Sequence, residues 1–172
     1  MIKLIASDLD GTLIGHDFRF RPRTLRALEA ARAAGIEIVF VTGRPSRWLT
    51  PLREQTDFDS YAICSNGAVV FHLGADEVEE INGADPQVIA RAHELLEPIF
   101  PSATYTLETV DTVFIQGPHE GGEVLEGARV VEMSIVEALE RIGSTPVIKY
   151  LIRVPGMDPD ILQARVHQAV GS

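Results

Sequence analysis

The stretch MIKLIASDLDGTL, residues 1–13, decides the fold, because an apolar run leads directly into two acids and a glycine turn. The apolar run over residues 2–7 predicts a buried strand. Side chains at positions i and i+2 of an extended segment point the same way, so Asp8 and Asp10 are expected to converge where that strand ends. The carboxyl end of a strand is the usual ligand position in an open α/β sheet.

Two carboxylates held this close repel each other unless a cation or a proton lies between them. Oxygen ligands of this kind suit a hard divalent cation such as Mg²⁺. A strand followed by an ordinary Asp-Gly turn is the simpler alternative. The strand, the spacing of the acids, Gly11 and Thr12 together favour the metal site.

The composition describes an ordinary globular chain that carries an excess of acid. The 172 residues are 45% hydrophobic and 23% charged, with a formal net charge of −10, enough for one core and a small insertion. The negative charge argues against a nucleic acid or an anionic membrane as partner, although a metal and a few arginines would still permit a phosphate substrate. Cys64 is the single cysteine and is expected in the core. Neither a signal-peptide pattern nor an apolar run of membrane length occurs, so a cytoplasmic protein is expected.

The first half of the chain alternates strands and helices. Helices are predicted from Pro22 to Ala34 and from Pro45 to about Arg53, and strands over residues 2–7, 36–41 and 61–64. This β-α-β-α-β order predicts parallel strands with right-handed crossovers. The polar residues that follow the strands are therefore expected at one edge of the sheet.

The pattern changes after Gly67, where a hairpin is expected over residues 68–81. Strands are then predicted at 103–108, 111–116, 129–133 and 146–152, with helices at 86–97, 134–142 and 159–169 and a Gly- and Glu-rich loop from Gly117 to Gly127. These elements indicate a separate α+β module. We place the two domains at residues 1–82 and 83–172.

Three motifs at successive strand ends give a resemblance to a known family. The first is Asp8-Leu9-Asp10-Gly11-Thr12-Leu13, the second Val41-Thr42-Gly43-Arg44 and the third Ser65-Asn66-Gly67-Ala68. In this order the chain resembles the haloacid dehalogenase superfamily, and more narrowly its Cof-type phosphatases of subclass IIB. The resemblance covers residues 1–82 well and the remainder as a general cap pattern. It implies an α/β fold, a partial Rossmann-like parallel-sheet core with an inserted α+β cap.

The resemblance also implies a reaction and a cofactor. Asp8 would attack phosphorus to form an aspartyl-phosphate, and Asp10 would protonate the leaving oxygen and then activate water. Mg²⁺ would be held by the Asp8 carboxylate and the Asp10 main-chain carbonyl. The residues expected to contact substrate are Gly11, Thr12, Thr42, Gly43, Arg44 and Asn66. For Arg44 and Asn66, a role in capping a helix or fixing a loop stays equally open.

The chain departs from the family pattern in its second half. A complete member carries a phosphate-binding lysine and a Gly-Asp pair after the cap, whereas this chain has only Lys3 and Lys149. Lys149 reads as part of a cap strand. The segment Asp158-Pro159-Asp160 reads as a helix N-cap with proline at the first helical position and not as an acidic metal pair.

The missing motifs have three possible explanations: a fragment of a longer protein, a natural short form that only binds, and a site completed by another chain. The first is favoured, and it predicts an exposed apolar core edge and self-association through that edge.

The resulting expectation is a Mg²⁺-dependent phosphatase acting on small phosphorylated metabolites such as sugar phosphates. A catalytically silent phosphate- or metal-binding module and a phosphosugar mutase are the alternatives. The five histidines have no metal-ligand spacing and are expected at the surface, with His16 placed to contact substrate as a lesser alternative. Trp48 is expected to pack beneath the sheet.

Overall fold

The computed structural model describes residues 1–119 and 127–171. The chain forms two compact units, Met1–Asn82 and Gly83–Ser172. Each unit is a sheet with helices, so the α/β class expected from the sequence is confirmed. Within the described ranges, no helix has the length and apolar character that crossing a membrane requires.

The first unit is a five-stranded sheet in the order β1-β2-β3-β4-β5. The first three strands are parallel, and the last two form an antiparallel hairpin that extends the same sheet. The strands are β1 Leu4–Asp8, β2 Glu37–Val41, β3 Tyr61–Cys64, β4 Val69–His72 and β5 Glu77–Ile81. The helices are α1 Pro22–Ala33 and α2 Thr50–Arg53, with 3₁₀ turns at Ser46–Trp48 and Ser65–Gly67.

One face of this sheet forms the core of the first unit. Phe40 on β2 is 1% exposed, and its ring lies 5.9 Å from that of Phe20 and 6.3 Å from that of Phe58. Leu28 of α1 is also buried. Because side chains alternate along a strand, the opposite face carries residues such as Leu4 and Tyr61, which are 52% and 44% exposed.

The strand expected over residues 2–7 is present, but the prediction that it is buried is wrong in this chain. The strand is Leu4–Asp8, and its side chains are alternately exposed and partly buried. Within the described residues β1 pairs with β2 alone and is the edge of the sheet. Ile2 is 68% exposed for the same reason. Parallel strands are usually covered on both faces, so β1 presents an unusual amount of apolar surface.

The helix predicted from Pro45 to Arg53 is replaced by two shorter pieces. A 3₁₀ turn covers Ser46–Trp48, and a four-residue helix covers Thr50–Arg53. Pro51 has no N–H to donate and disfavours the α conformation of the residue before it. A continuous helix is therefore interrupted just where Pro51 would have to contribute a hydrogen bond.

Within its described residues, the second unit is a four-stranded sheet in the order β8-β7-β6-β9 with three helices. Its strands are β6 Thr104–Glu108, β7 Thr112–Gln116, β8 Arg129–Glu132 and β9 Lys149–Arg153. Its helices are α3 Pro86–Leu96, α4 Ile135–Ile142 and α5 Pro159–Val170. Tyr105, Leu107 and Phe114 on the sheet are buried together with Ile135 of α4. Most of the Gly- and Glu-rich loop, residues 120–126, lies outside the described part of the chain.

Polar caps begin helices α3, α4 and α5 of the second unit. The Asp158 carboxylate accepts hydrogen bonds from the main-chain N–H groups of Asp160 and Ile161, and Pro159 is the first helical residue. This confirms the reading of Asp158-Pro159-Asp160 as an N-cap. Asp85 caps α3 in the same way, and Ser134 forms a reciprocal capping box with Glu137 at α4.

Candidate active site

The loop after β1 folds back on itself and exposes two carboxylates. Leu9 is fully buried, and its carbonyl oxygen accepts hydrogen bonds from the N–H groups of residues 12, 13 and 14. Gly11 has φ of 73°, a left-handed conformation that glycine adopts without strain. Asp8 and Asp10 flank Leu9 and are both exposed, as the alternation predicts. The Thr12 hydroxyl donates to Asp8 Oδ2 at 3.0 Å.

The segment after β2 reaches the second of these carboxylates. Arg44 Nε donates to Asp10 Oδ2 at 2.8 Å, and Arg44 Nη2 lies 2.5 Å from Asp10 Oδ1. The Thr42 hydroxyl accepts a hydrogen bond from the Arg44 N–H at 3.1 Å and lies 3.5 Å from Asp10 Oδ2. The Thr42 side chain is buried, and its hydroxyl therefore fixes the loop.

This ion pair sets the charge of Asp10. The hydrogen bonds and the positive charge of Arg44 lower the pKa of the Asp10 carboxyl, and the smaller Thr42 contact acts in the same direction. Partial burial opposes the shift without reversing it. The carboxylate is therefore held ionised and in a defined orientation, a state suited to accepting a proton.

The segment after β3 is joined to the Thr42–Arg44 loop by main-chain hydrogen bonds. The Ser65 N–H donates to the Arg44 carbonyl oxygen at 2.9 Å, and the Asn66 N–H donates to the Thr42 carbonyl oxygen at 3.3 Å. Both Ser65 and Asn66 have left-handed φ values, 51° and 59°. A Cβ at Gly43 would lie only 2.8 Å from Asn66 Oδ1, so a side chain at position 43 would require the Asn66 amide to shift.

Two aromatic residues border Arg44, and sequence reasoning assigns neither of them to this site. The Arg44 guanidinium carbon lies 4.0 Å from the centre of the Phe18 ring and 5.9 Å from that of Trp48. Trp48 was expected beneath the sheet and is instead half-buried beside Arg44. Pro45 is a sequence signal that could have placed Trp48 near Arg44, because it begins the 3₁₀ turn Ser46–Trp48 directly after the motif that ends at Arg44. No local pattern pointed to Phe18.

The structure therefore brings the expected residues together in three sets of contacts. Asp10, Thr42 and Arg44 contact one another, while Asp8 contacts Thr12. Asn66 lies against Gly43. His16 is exposed in the loop after the first motif, with no contact to these groups among those described.

The donors available to a cation are oxygens of the first loop. Among the described residues, one of the two Asp8 carboxylate oxygens, Oδ2, accepts a hydrogen bond from Thr12, whereas both carboxylate oxygens of Asp10 are bound by Arg44. Hard oxygen donors of this kind fit Mg²⁺. In the ranges 1–119 and 127–171, no group of three or more His, Cys, Asp or Glu side chains is arranged to hold a metal. The candidate site thus offers part of a coordination shell.

Comparison with known proteins gives consistent matches. A family model described as haloacid dehalogenase-like hydrolase matches residues 5–171. The pyridoxal phosphate phosphatase YbhA of Escherichia coli is 33% identical over 123 residues, which are 72% of this chain and 44% of that protein. Among the curated relatives, this chain is therefore similar to a protein named as a phosphatase.

Solved structures share the fold. The subclass IIB sugar phosphatase BT4131 superposes with a TM-score of 0.71 at 22% identity, over 98% of this chain and 63% of that chain. A haloacid dehalogenase-like hydrolase from B. subtilis superposes with a TM-score of 0.75 at 21% identity, over 99% and 67%. The chain therefore spans about half to two thirds of the length of these three proteins.

Proposed function

The chain belongs to the haloacid dehalogenase-like hydrolase family, and on that premise we propose that the protein is a Mg²⁺-dependent phosphatase of small phosphorylated metabolites. The observation that carries the proposal is the pairing of an exposed Asp8 with an oriented, ionised Asp10 two residues later. The E. coli relative is named for pyridoxal phosphate, and the structural neighbour BT4131 for sugars. Both names support phosphate esters of small molecules as the substrate class.

In this proposal Asp8 is the nucleophile. One carboxylate oxygen of Asp8 attacks phosphorus while the bond from phosphorus to the ester oxygen breaks, which leaves an aspartyl-phosphate. The Thr12 hydroxyl donates to Oδ2 at 3.0 Å and fixes the side chain. The Asp8 carboxylate and the Asp10 main-chain carbonyl would hold Mg²⁺, whose positive charge would screen the repulsion between Asp8 and the phosphate.

Asp10 is the acid and the base. It gives a proton to the departing ester oxygen and then takes one from the water that hydrolyses the aspartyl-phosphate. The contact with Arg44 favours the ionised form, which suits the second step. A protonated carboxyl no longer attracts the guanidinium as strongly, so the first step requires the contact between Arg44 and Asp10 to loosen. A phosphate bound at the site would compete with Asp10 for the Arg44 guanidinium and so favour that loosening.

The remaining expected substrate contacts lie in the three loops. Gly11 and Gly43 let the main chain come close to phosphate oxygens, and Thr12 lies beside the nucleophile. Thr42 is assigned to fixing the loop that carries Arg44, because its hydroxyl is already engaged. Asn66 borders Gly43 and completes the rim.

The test is hydrolysis of p-nitrophenyl phosphate by the 172-residue chain, with Mg²⁺ or with EDTA. Asp8→Asn is compared with Asp57→Asn, a matched change at a side chain that is 99% exposed in the same unit. We expect turnover that requires Mg²⁺ and Asp8 and tolerates the change at Asp57. Equal turnover in Asp8→Asn would remove the nucleophile assignment. Binding of inorganic phosphate without turnover in any variant would support the silent binding module.

A further inference from the structure

Phe18 has a main-chain conformation that bulky residues rarely adopt. Its φ is 56°, in the left-handed region that favours glycine. The Gln55 side chain holds the segment on both sides, since Nε2 donates to the Phe18 carbonyl oxygen and Oε1 accepts from the Phe20 N–H, both at 3.0 Å. The Phe18 N–H donates to the Gly15 carbonyl oxygen. A strained residue that its surroundings hold so firmly points to a role for its side chain.

The ring of Phe18 extends the candidate active site outwards. One face of the ring lies over the Arg44 guanidinium, with 4.0 Å from ring centre to Cζ. The edge of the same guanidinium binds both carboxylate oxygens of Asp10. Phe18 is nevertheless 39% exposed, so part of the ring remains open to a ligand. An apolar, planar surface thus lies one side chain away from the proposed acid.

This inference rests on the proposed function, in which Asp10 protonates the ester oxygen of the leaving group. A ring that extends the site beyond Asp10 and Arg44 therefore borders the leaving group, while Arg44 itself stays within reach of the phosphate. We propose that Phe18 determines specificity, and that its exposed ring surface stacks on a planar aromatic or heteroaromatic leaving group. The substrates that this site prefers are accordingly phosphate esters of aromatic alcohols, ahead of phosphates of open-chain polyols.

The preference follows from what a phenyl ring offers. It buries apolar surface and stacks on another ring in an offset arrangement. It provides no hydrogen bond to a hydroxyl group, so a polyol placed against it loses water without a replacement partner. Arg44 on the far face adds a cation–π contact that keeps the ring in place.

The experiment measures binding and needs no turnover. Three phosphonates are titrated into the 172-residue chain by calorimetry with Mg²⁺ present: methylphosphonate, benzylphosphonate and 2,3-dihydroxypropylphosphonate. The variants are Phe18→Gly, which removes the ring and tolerates the φ of 56°, and Phe18→Trp, which keeps an aromatic surface. For each variant, affinities are expressed relative to that of methylphosphonate. A loss of affinity for the phosphonate group itself, caused by a displaced Arg44, then cancels.

We expect benzylphosphonate to bind roughly 2- to 10-fold more tightly than the dihydroxypropyl compound, the range for one aromatic contact. Phe18→Gly should abolish that preference, and Phe18→Trp should keep it. An equal preference in the original chain and in Phe18→Gly, or a preference for the polyol, would overturn the role of Phe18 alone. Failure of every phosphonate to bind would instead overturn the proposed phosphatase site, and this inference with it.

Discussion

Arg44 binds the Asp10 carboxylate through two nitrogens, although 34 positions separate the two residues in the sequence. Nε lies 2.8 Å from Oδ2, and Nη2 lies 2.5 Å from Oδ1. Two strand-end loops of the first unit are thereby joined through side chains. The Arg44 side chain is 12% exposed and the Asp10 side chain 49%, so the pair is open to solvent mainly on the carboxylate side. A substrate anion therefore approaches a carboxylate that is already oriented.

Arg44→Lys tests the two-point contact. Lysine keeps the charge but replaces the planar fork by a single ammonium group, so Asp10 is no longer held at both oxygens. We expect kcat to fall by up to roughly 10²-fold, because general acid–base catalysis contributes about 10²–10⁴-fold. The measurement is steady-state hydrolysis beside Arg26→Lys, a matched change on the exposed side of α1. A kcat equal to that of the control would show that the contact is dispensable.

Gly43→Ala tests the contact between the second and third loops. The new methyl group would lie 2.8 Å from Asn66 Oδ1, so Asn66 or its loop has to move. We expect a cost at the lower end of the range for overpacking, about 1 kcal/mol of unfolding free energy, because Asn66 is exposed and its side chain can shift. The control is the Asn66→Ala background, in which the clash partner is absent. A double-mutant cycle by urea denaturation should show a smaller cost there, and strictly additive costs would contradict the contact.

We expect the stability of the second unit to depend on pH because of the buried side chain of His93. The side chain is 1% exposed, so the surface position expected of the histidines is wrong for His93. Nδ1 lies 2.8 Å from the Tyr150 hydroxyl, and Nε2 has no hydrogen-bond partner among the described residues. Burial lowers the pKa of His93, against the weaker opposing influence of Glu97 and Glu94. The folded protein therefore prefers the neutral ring.

Proton linkage gives the direction in which the unfolding free energy changes with pH. Above the unfolded pKa of about 6.5 neither state binds the proton, and below it the unfolded chain binds more protons than the folded one. Unfolding free energy should fall as pH drops through about 6.5, by at most ~1.4 kcal/mol per pH unit, and level off below the lowered folded pKa.

Two variants separate this contribution from other groups. His93→Gln should remove that part of the pH dependence, whatever its effect on stability at neutral pH. The matched change His167→Gln, at an exposed histidine, should leave the slope unaltered. The measurement is urea denaturation between pH 5 and pH 8. The same slope in His93→Gln and in the original chain would show that another group is responsible.

Leu4→Lys tests the self-association expected of the first strand. Leu4 is 52% exposed on β1, the edge strand of its sheet within the described residues. Lysine on an edge strand opposes pairing with a second copy. Sedimentation should show association in the original chain and a shift towards monomer in Leu4→Lys. Ile161→Lys, at a side chain 56% exposed on α5, is the control. A monomeric original chain would contradict the prediction.

Local patterns predicted the elements and the loops of the site, because both depend on neighbours in sequence. The apolar run before Asp8 marked β1, and Asp158 with Pro159 marked the start of α5. The three strand-end motifs were predicted to share one edge, and parallel pairing of β1, β2 and β3 is what the structure has. The helix predicted after Pro45 is too long, because Pro51 interrupts it and the structure has two shorter pieces there.

By itself, the sequence determined the order of strands and helices, the glycine turns and the family to which the chain belongs, since each depends on short-range patterns in a fixed order. Only the tertiary structure decided the contacts between distant segments. Arg44 reaches Asp10 across 34 positions, Gln55 holds Phe18 across 37, and β1 lies at an open edge. Such contacts arise from how strands and loops pack in space, and no spacing along the chain encodes them.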